Sequence, residues 1–165
     1  MRQIIKGVCM EFKEIFEKFD IFEDLNDEEK AMLSSFLTKA SYNEDDIIYN
    51  ESAEGGTLYF LLKGKVRICR TSKDGDLLPY AAVNAGETFG LMSFIDGSNH
   101  SATTLADKDS EVIKIEKKDF ETLLNKDPMM FAKVYKKIGI HLCEIIRDMN
   151  RQYMDLTTYM FTKSK

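Results

Sequence analysis

The chain has no Cys-x-x-Cys pair, and its three cysteines, Cys9, Cys69 and Cys143, lie far apart. An odd number of scattered thiols excludes a disulfide scaffold and a cysteine-rich zinc site, and predicts reduced thiols in a cytoplasmic protein. There are only two histidines, His100 and His141, and they are distant in sequence. No Gly-x-Ser-x-Gly, P-loop or His-Glu-x-x-His occurs, so the chain is not expected to be an enzyme. Basic excess is missing as well. The formal charge is −5 and the basic concentrations, Lys63 to Arg70 and Lys133 to Lys137, are short. That balance argues against nucleic acid or an anionic membrane as a partner. Finally, no apolar run reaches the length of a signal peptide or a membrane span, which predicts a soluble, cytoplasmic chain.

What is present is ample material for a core. Hydrophobic residues make up 44% of 165 residues and aromatics 11%, enough to fill one domain of this size. No repeat, low-complexity tract or linker divides the chain. The expectation is one domain over 1–165, with N-terminal helices in 1–38, a β-roll in 40–116 and C-terminal helices in 118–160.

Periodicity sets that division. Ile5, Val8, Phe12, Ile15, Phe16 and Phe19 fall three or four apart, the spacing of an amphipathic helix. A second helix is predicted after Asn26, with Glu29 placed for a capping box and Met32, Leu33, Phe36 and Leu37 as its apolar positions. From Ala40 to Glu116 the pattern changes to short strands: 47–49, 58–62, 66–68, 78–83, 103–106 and 111–116. Turn chemistry separates them at Glu54-Gly55-Gly56, Lys63-Gly64, Lys73 to Asp76, Asn84 to Gly86 and Asp96 to Ser98. Leu58, Phe60 and Leu62 alternate with Tyr59 and Leu61, so both faces of that strand are apolar. Helix returns at 118–125, Asp127-Pro128 breaks it, and Pro128 suits the first turn of a long helix reaching about Tyr159. The fold class is mainly β with flanking helices (α+β): an antiparallel β-roll or jelly roll with N-terminal helices and a long C-terminal helix.

The stretch from Phe89 to Thr103 concentrates the chemistry. Phe89-Gly90 opens a short helix at Leu91-Met92-Ser93, and Ser98, Asn99, His100 and Ser101 form a polar loop before the next strand. Backbone N–H groups at a helix start accept anions. These residues join Phe22 to Leu25, Ile47 to Val66 and Ala85 to Gly90 in a pattern that resembles the cyclic nucleotide-binding domain family, over roughly Phe19 to Tyr153. The resemblance implies a β-roll with a phosphate-binding cassette, and a regulatory role. In that family a Glu after Phe-Gly bonds the ribose hydroxyl, and an Arg in the following loop pairs with the cyclic phosphate. Here those positions are Leu91 and His100; the Pro that precedes the Arg is Asn99, and the small residue after it is Ser101. The candidate ligand site is therefore a degenerate cassette of Phe89, Gly90, Leu91, Met92, Ser98, Asn99, His100, Ser101 and Thr103. No cofactor is expected, a cyclic nucleotide being the alternative.

Side chains in this region keep more than one reading. His100 can be an anion contact, a pH-sensitive group or a loop residue. The hydroxyls of Ser98, Ser101, Thr103 and Thr104 suit phosphate binding and ordinary turns equally. His141 lacks zinc-ligand spacing, and Asp74, Asp76, Asp107 and Asp109 lack the calcium-loop pattern and read as solvated turns. On the long helix, Ile138, Leu142, Ile145, Met149, Tyr153 and Leu156 form an apolar stripe. A helix of about 30 residues spans roughly 45 Å, more than a small roll covers. The stripe predicts a homodimer, as the same helix forms in the transcription factors of the family. The residues after it are expected to be too few for a helix-turn-helix. Two functions follow: a sensor of a non-standard small ligand, or a ligand-free module acting on an unknown protein partner. A genuine cAMP or cGMP sensor is the alternative.

Overall fold

The computed structural model describes residues 12–162. The predicted helix from Ile5 begins outside that range; its described part is α1, Lys13–Lys18. A 3₁₀ turn, Asp20–Phe22, follows, then α2, Asp27–Ser34. The sheet consists of β1 (Thr38–Tyr42), β2 (Ile47–Tyr49), β3 (Thr57–Thr71), β4 (Leu77–Asn84), β5 (Thr88–Phe89) and β6 (Thr103–Glu116), with α3 (Leu91–Asp96) between the last two. The chain then runs through α4 (Lys117–Glu121), α5 (Leu123–Lys126) and α6 (Pro128–Thr162).

All strand pairs are antiparallel, in the order β1-β6-β3-β4, with β2 on β6 and β5 on β3. Two predicted breaks are absent. Residues 58–62 and 66–68 belong to the single strand β3, and residues 103–106 and 111–116 to the single strand β6. What reads as a turn at Lys63-Gly64 is a series of register shifts between Leu61 and Val66. Gly64 sits there at φ +90, where an added Cβ would come 2.3 Å from the Asp109 carbonyl oxygen. Irregularities of this kind bend a strand pair without ending it. Asp107 and Asp109 therefore lie on β6 and not in a turn. Asp107 pairs with Lys65 at 3.1 Å and Arg67 at 3.2 Å, and Asp109 accepts from the Glu44 N–H at 3.0 Å.

The sheet separates two apolar regions, as the alternation along β3 requires. Leu58, Phe60 and Leu62 face the helices with Ile113, Ile115, Phe22, Leu33 and Ile138. Tyr59, Leu61, Val66, Val83, Phe89 and Val112 fill the roll interior, with Tyr42, Ile48, Tyr49 and Ile68 packed on them. The capping box of α2 forms as expected: Asn26 accepts from the Glu29 N–H at 2.9 Å, and Glu29 accepts from the Asn26 N–H at 2.8 Å. Phe36 and Leu37 lie beyond the end of that helix. Lys133 of α6 donates to the buried Glu29 carboxylate at 2.7 and 2.9 Å, tying the ends of the domain together. Asp127 accepts from the Met130 N–H at 2.9 Å, so an N-cap followed by Pro128 starts α6.

Candidate functional site

Gly90, at φ +78, turns β5 into the six-residue α3, and the loop 97–102 returns the chain to β6. A second loop closes over this cassette. The His100 N–H donates to the Ala53 carbonyl at 2.9 Å and the Ser52 N–H donates to the His100 carbonyl at 2.8 Å. Gly55 makes the approach possible: a Cβ there would meet the Ser98 carbonyl oxygen at 2.2 Å and Ser93 Cβ at 2.4 Å.

The predicted site residues divide into two groups. Phe89 and His100 reach the roll interior, whereas Leu91 is buried in the core between sheet and helices. Met92 is 66% exposed and Ser98, Asn99 and Ser101 lie on the surface. The Ser98 N–H is bonded to Asp96 Oδ1 at 2.8 Å, and Thr103 Oγ1 accepts from the Glu51 N–H at 2.9 Å. Ser98 and Ser101 thus lie at the surface, while the Thr103 hydroxyl is bonded to the covering loop.

Inside the roll, rings stand face to face. His100 lies 3.6 Å from Tyr49, centroid to centroid, with 8° between planes. Phe89 stacks on Tyr59 at 4.8 Å and 6°, and Tyr49 and Tyr59 are 5.6 Å apart. Ser93 Oγ donates to the Gly90 carbonyl at 3.1 Å and lies 3.3 Å from His100 Nδ1. Since the hydroxyl has one hydrogen, the arrangement is complete when Nδ1–H donates to Ser93. Burial pushes the His100 pKa down, and it pushes those of Tyr49 and Tyr59 up to about 12. All three are therefore neutral at pH 7, and the cup carries no charge of its own.

Among the described residues, no Lys or Arg takes the place of the arginine that the resemblance calls for. Residues 89–104 contain no Lys or Arg. Arg67 is committed to Asp45 and Asp107, and Arg70 lies 3.8 Å from Glu51. Lys117 touches the cassette from outside, donating to the Phe94 and Ile95 carbonyls at 3.0 and 2.6 Å. Sequence reasoning missed Tyr49, Tyr59 and Gly55 as site residues. The only trace was the Tyr in each of two strands aimed at the same side; their meeting with His100 depends on the roll closing. Thr104 is wholly buried in the roll wall, where its side chain interacts with the Tyr49 hydroxyl.

Among the described residues, no cluster of His, Cys, Asp and Glu could hold a metal ion. No helix there is long and apolar enough to cross a membrane. On α6, Met130, Val134 and Ile138 are buried in the domain's own core and Leu142 packs on it. Ile138, read from the sequence as part of a dimer stripe, is 0% exposed, so the free stripe starts at Ile145.

The sequence profile of the cyclic nucleotide-binding domain family matches residues 39–127, and the chain belongs to that family. It is similar to a cyclic AMP receptor protein of Thermus thermophilus, 30% identical over 110 residues that cover 67% of this chain and 51% of that protein. A crystal structure of a cyclic nucleotide-binding domain from Methylobacillus flagellatus superposes with a TM-score of 0.79 at 25% identity, covering 89% of this chain and 84% of that one. The chain is also 27% identical over 106 residues to a lysophospholipase of Chaetomium globosum, covering 64% of this chain but 7% of the enzyme. The chain thus spans about half of the first relative and a small part of the enzyme. The shared unit is a regulatory fold and not a catalytic one.

Proposed function

We propose that this domain is a regulatory interaction module whose roll is filled by its own aromatic side chains, and which acts as a homodimer on a protein partner. The observation that carries the reading is the His100–Tyr49 stack: a buried, neutral ring stands where the resemblance calls for a guanidinium. Losing one partner of a buried charge pair costs about 2–5 kcal/mol, roughly thirty-fold to several-thousand-fold in affinity. A cyclic phosphate would also have to part the stack. Calorimetric titration with cAMP, cGMP and cyclic dinucleotides is expected to give no saturable heat. A dissociation constant below about 100 µM for any of them, near 5.5 kcal/mol of binding, would overturn the reading.

The homodimer rests on α6 beyond Ile138. Ile145, Ile146, Met149, Tyr153 and Leu156 are all exposed, an apolar face of the kind that marks an interaction site. Light scattering is expected to give twice the chain mass, and Met149→Lys to shift it toward the monomer; a wild-type mass that stays monomeric as concentration rises would exclude the pair. The free thiols of Cys69 and Cys143 fit a reducing compartment such as the cytoplasm.

A further inference from the structure

His100 holds the covering loop through its backbone and the roll through its ring. Its N–H and carbonyl are bonded to Ala53 and Ser52 at 2.9 and 2.8 Å, while its ring lies on Tyr49 and 3.3 Å from Ser93 Oγ. The residue is 6% exposed, so the imidazole meets bulk water only when the loop or the ring moves. The loop 50–56 is built to move. Ser52 sits at φ +67, a conformation that few residues other than glycine adopt, and one that persists where the surroundings hold it. Its N–H is the group that His100 holds. Gly56, at φ +94, ends the loop. The surroundings of the ring supply no counter-charge: burial alone displaces its titration. Tyr49 of β2 is neutral, and behind it stand Tyr59 of β3 and Tyr80 of β4. Ser93 of α3 and Thr103 of β6 offer hydroxyls. The two carboxylates of the loop are engaged elsewhere: Glu51 accepts from the Thr71 N–H at 3.2 Å and lies 3.8 Å from Arg70, and Glu54 acts on Lys118.

We propose that His100 is an acid-operated latch: the loop 50–56 stays closed over the roll while the imidazole is neutral, and lifts when the imidazole takes a proton. The inference rests on the His100–Tyr49 stack that carries the reading above, and adds regulation by pH to it. The closed form disfavours a charged ring and the lifted form hydrates it, so protons select the lifted form. Lifting also bares the face of Tyr49 at the mouth of the roll. The size of the effect is bounded. An imidazole that titrates near 6.5 when lifted and stays neutral when closed raises the opening equilibrium about thirty-fold at pH 5, and hardly at all above pH 7.5.

Amide hydrogen exchange of the full chain, corrected at each pH for the intrinsic rate, reads the latch. Protection at the Ser52 and His100 amides is expected to fall about ten- to thirty-fold between pH 7.5 and 5, while Phe60 and Ile113, inside β3 and β6, keep theirs. His100→Phe retains a ring against Tyr49 and is expected to abolish the pH dependence at Ser52. The wild-type chain gives a second measure that needs no variant: in NMR spectra the His100 ring and the Ser52 amide are expected to titrate with one midpoint. Ser52 protection that ignores pH, or falls equally in His100→Phe, overturns the latch. Separate midpoints for ring and amide overturn it as well, and so does a parallel fall at Phe60 and Ile113, the mark of global unfolding. The two readings fail separately, since calorimetry with cAMP at pH 7.5 tests the ligand-free module and exchange without ligand tests the latch.

Discussion

His100 is held by three things at once: the Tyr49 face, the Ser93 hydroxyl and two backbone hydrogen bonds to the loop that covers it. Burial lowers its pKa from 6.5, so the native state favours the neutral ring. As the pH falls below 6.5, the unfolded chain binds a proton that the folded chain resists, and stability falls. The loss ends once the pH passes the lowered folded value. Above 6.5 the group has no effect. Urea unfolding of the wild type between pH 7.5 and 5 should therefore show a steeper loss than His100→Phe, which keeps a ring against Tyr49 and cannot titrate. Parallel curves for the two proteins would remove the buried neutral imidazole. The charge change at this position was legible in the sequence, because the Phe89-Gly90 frame locates it. The partner was not, since Tyr49 is fifty-one residues away and only the closed roll brings it near.

Between elements, the Glu29–Lys133 contact joins α2 to α6 across 104 residues of sequence. Glu29 caps α2 through Asn26 and binds Lys133 of α6. Its side chain is 8% exposed, against 33% for Lys133, so the two partners are not equivalent. Lys133→Met strands a buried carboxylate and is expected to cost about 2 kcal/mol, below the 3–5 of a fully buried pair because the lysine is partly solvated. Glu29→Gln keeps a cap and strands a lysine that can reach water, so its loss is smaller. Melting temperatures of the two variants decide the order. The capping box could be read in advance because its chemistry spans three residues. The continuity of β3 and β6 could not: Gly64 carries the same signature in a turn as in a bend, and the pairing register distinguishes them.

For the molecule as a whole, α6 is both a wall of the core and a projection from it. Thr162 lies 24 residues beyond Ile138, about 36 Å at 1.5 Å per residue. A chain ending at Leu142 is expected to unfold cooperatively with its core intact and to scatter light as a monomer; loss of the cooperative transition would mean that the projecting half is needed for folding. The three-four spacing made the length and apolar face of this helix readable, but where its own domain stops covering it depends on the width of the roll. Lys117 gives this layout a mechanical consequence. One ammonium group holds two carbonyls at the end of α3, and its own backbone begins α4 directly after β6. Beside it, Phe94 of α3 packs on Phe120 of α4 with ring centroids 5.5 Å apart. A displacement of α3 therefore either carries α4 with it or breaks both the Lys117 bonds and that ring contact, which couples the cup to the helical arm.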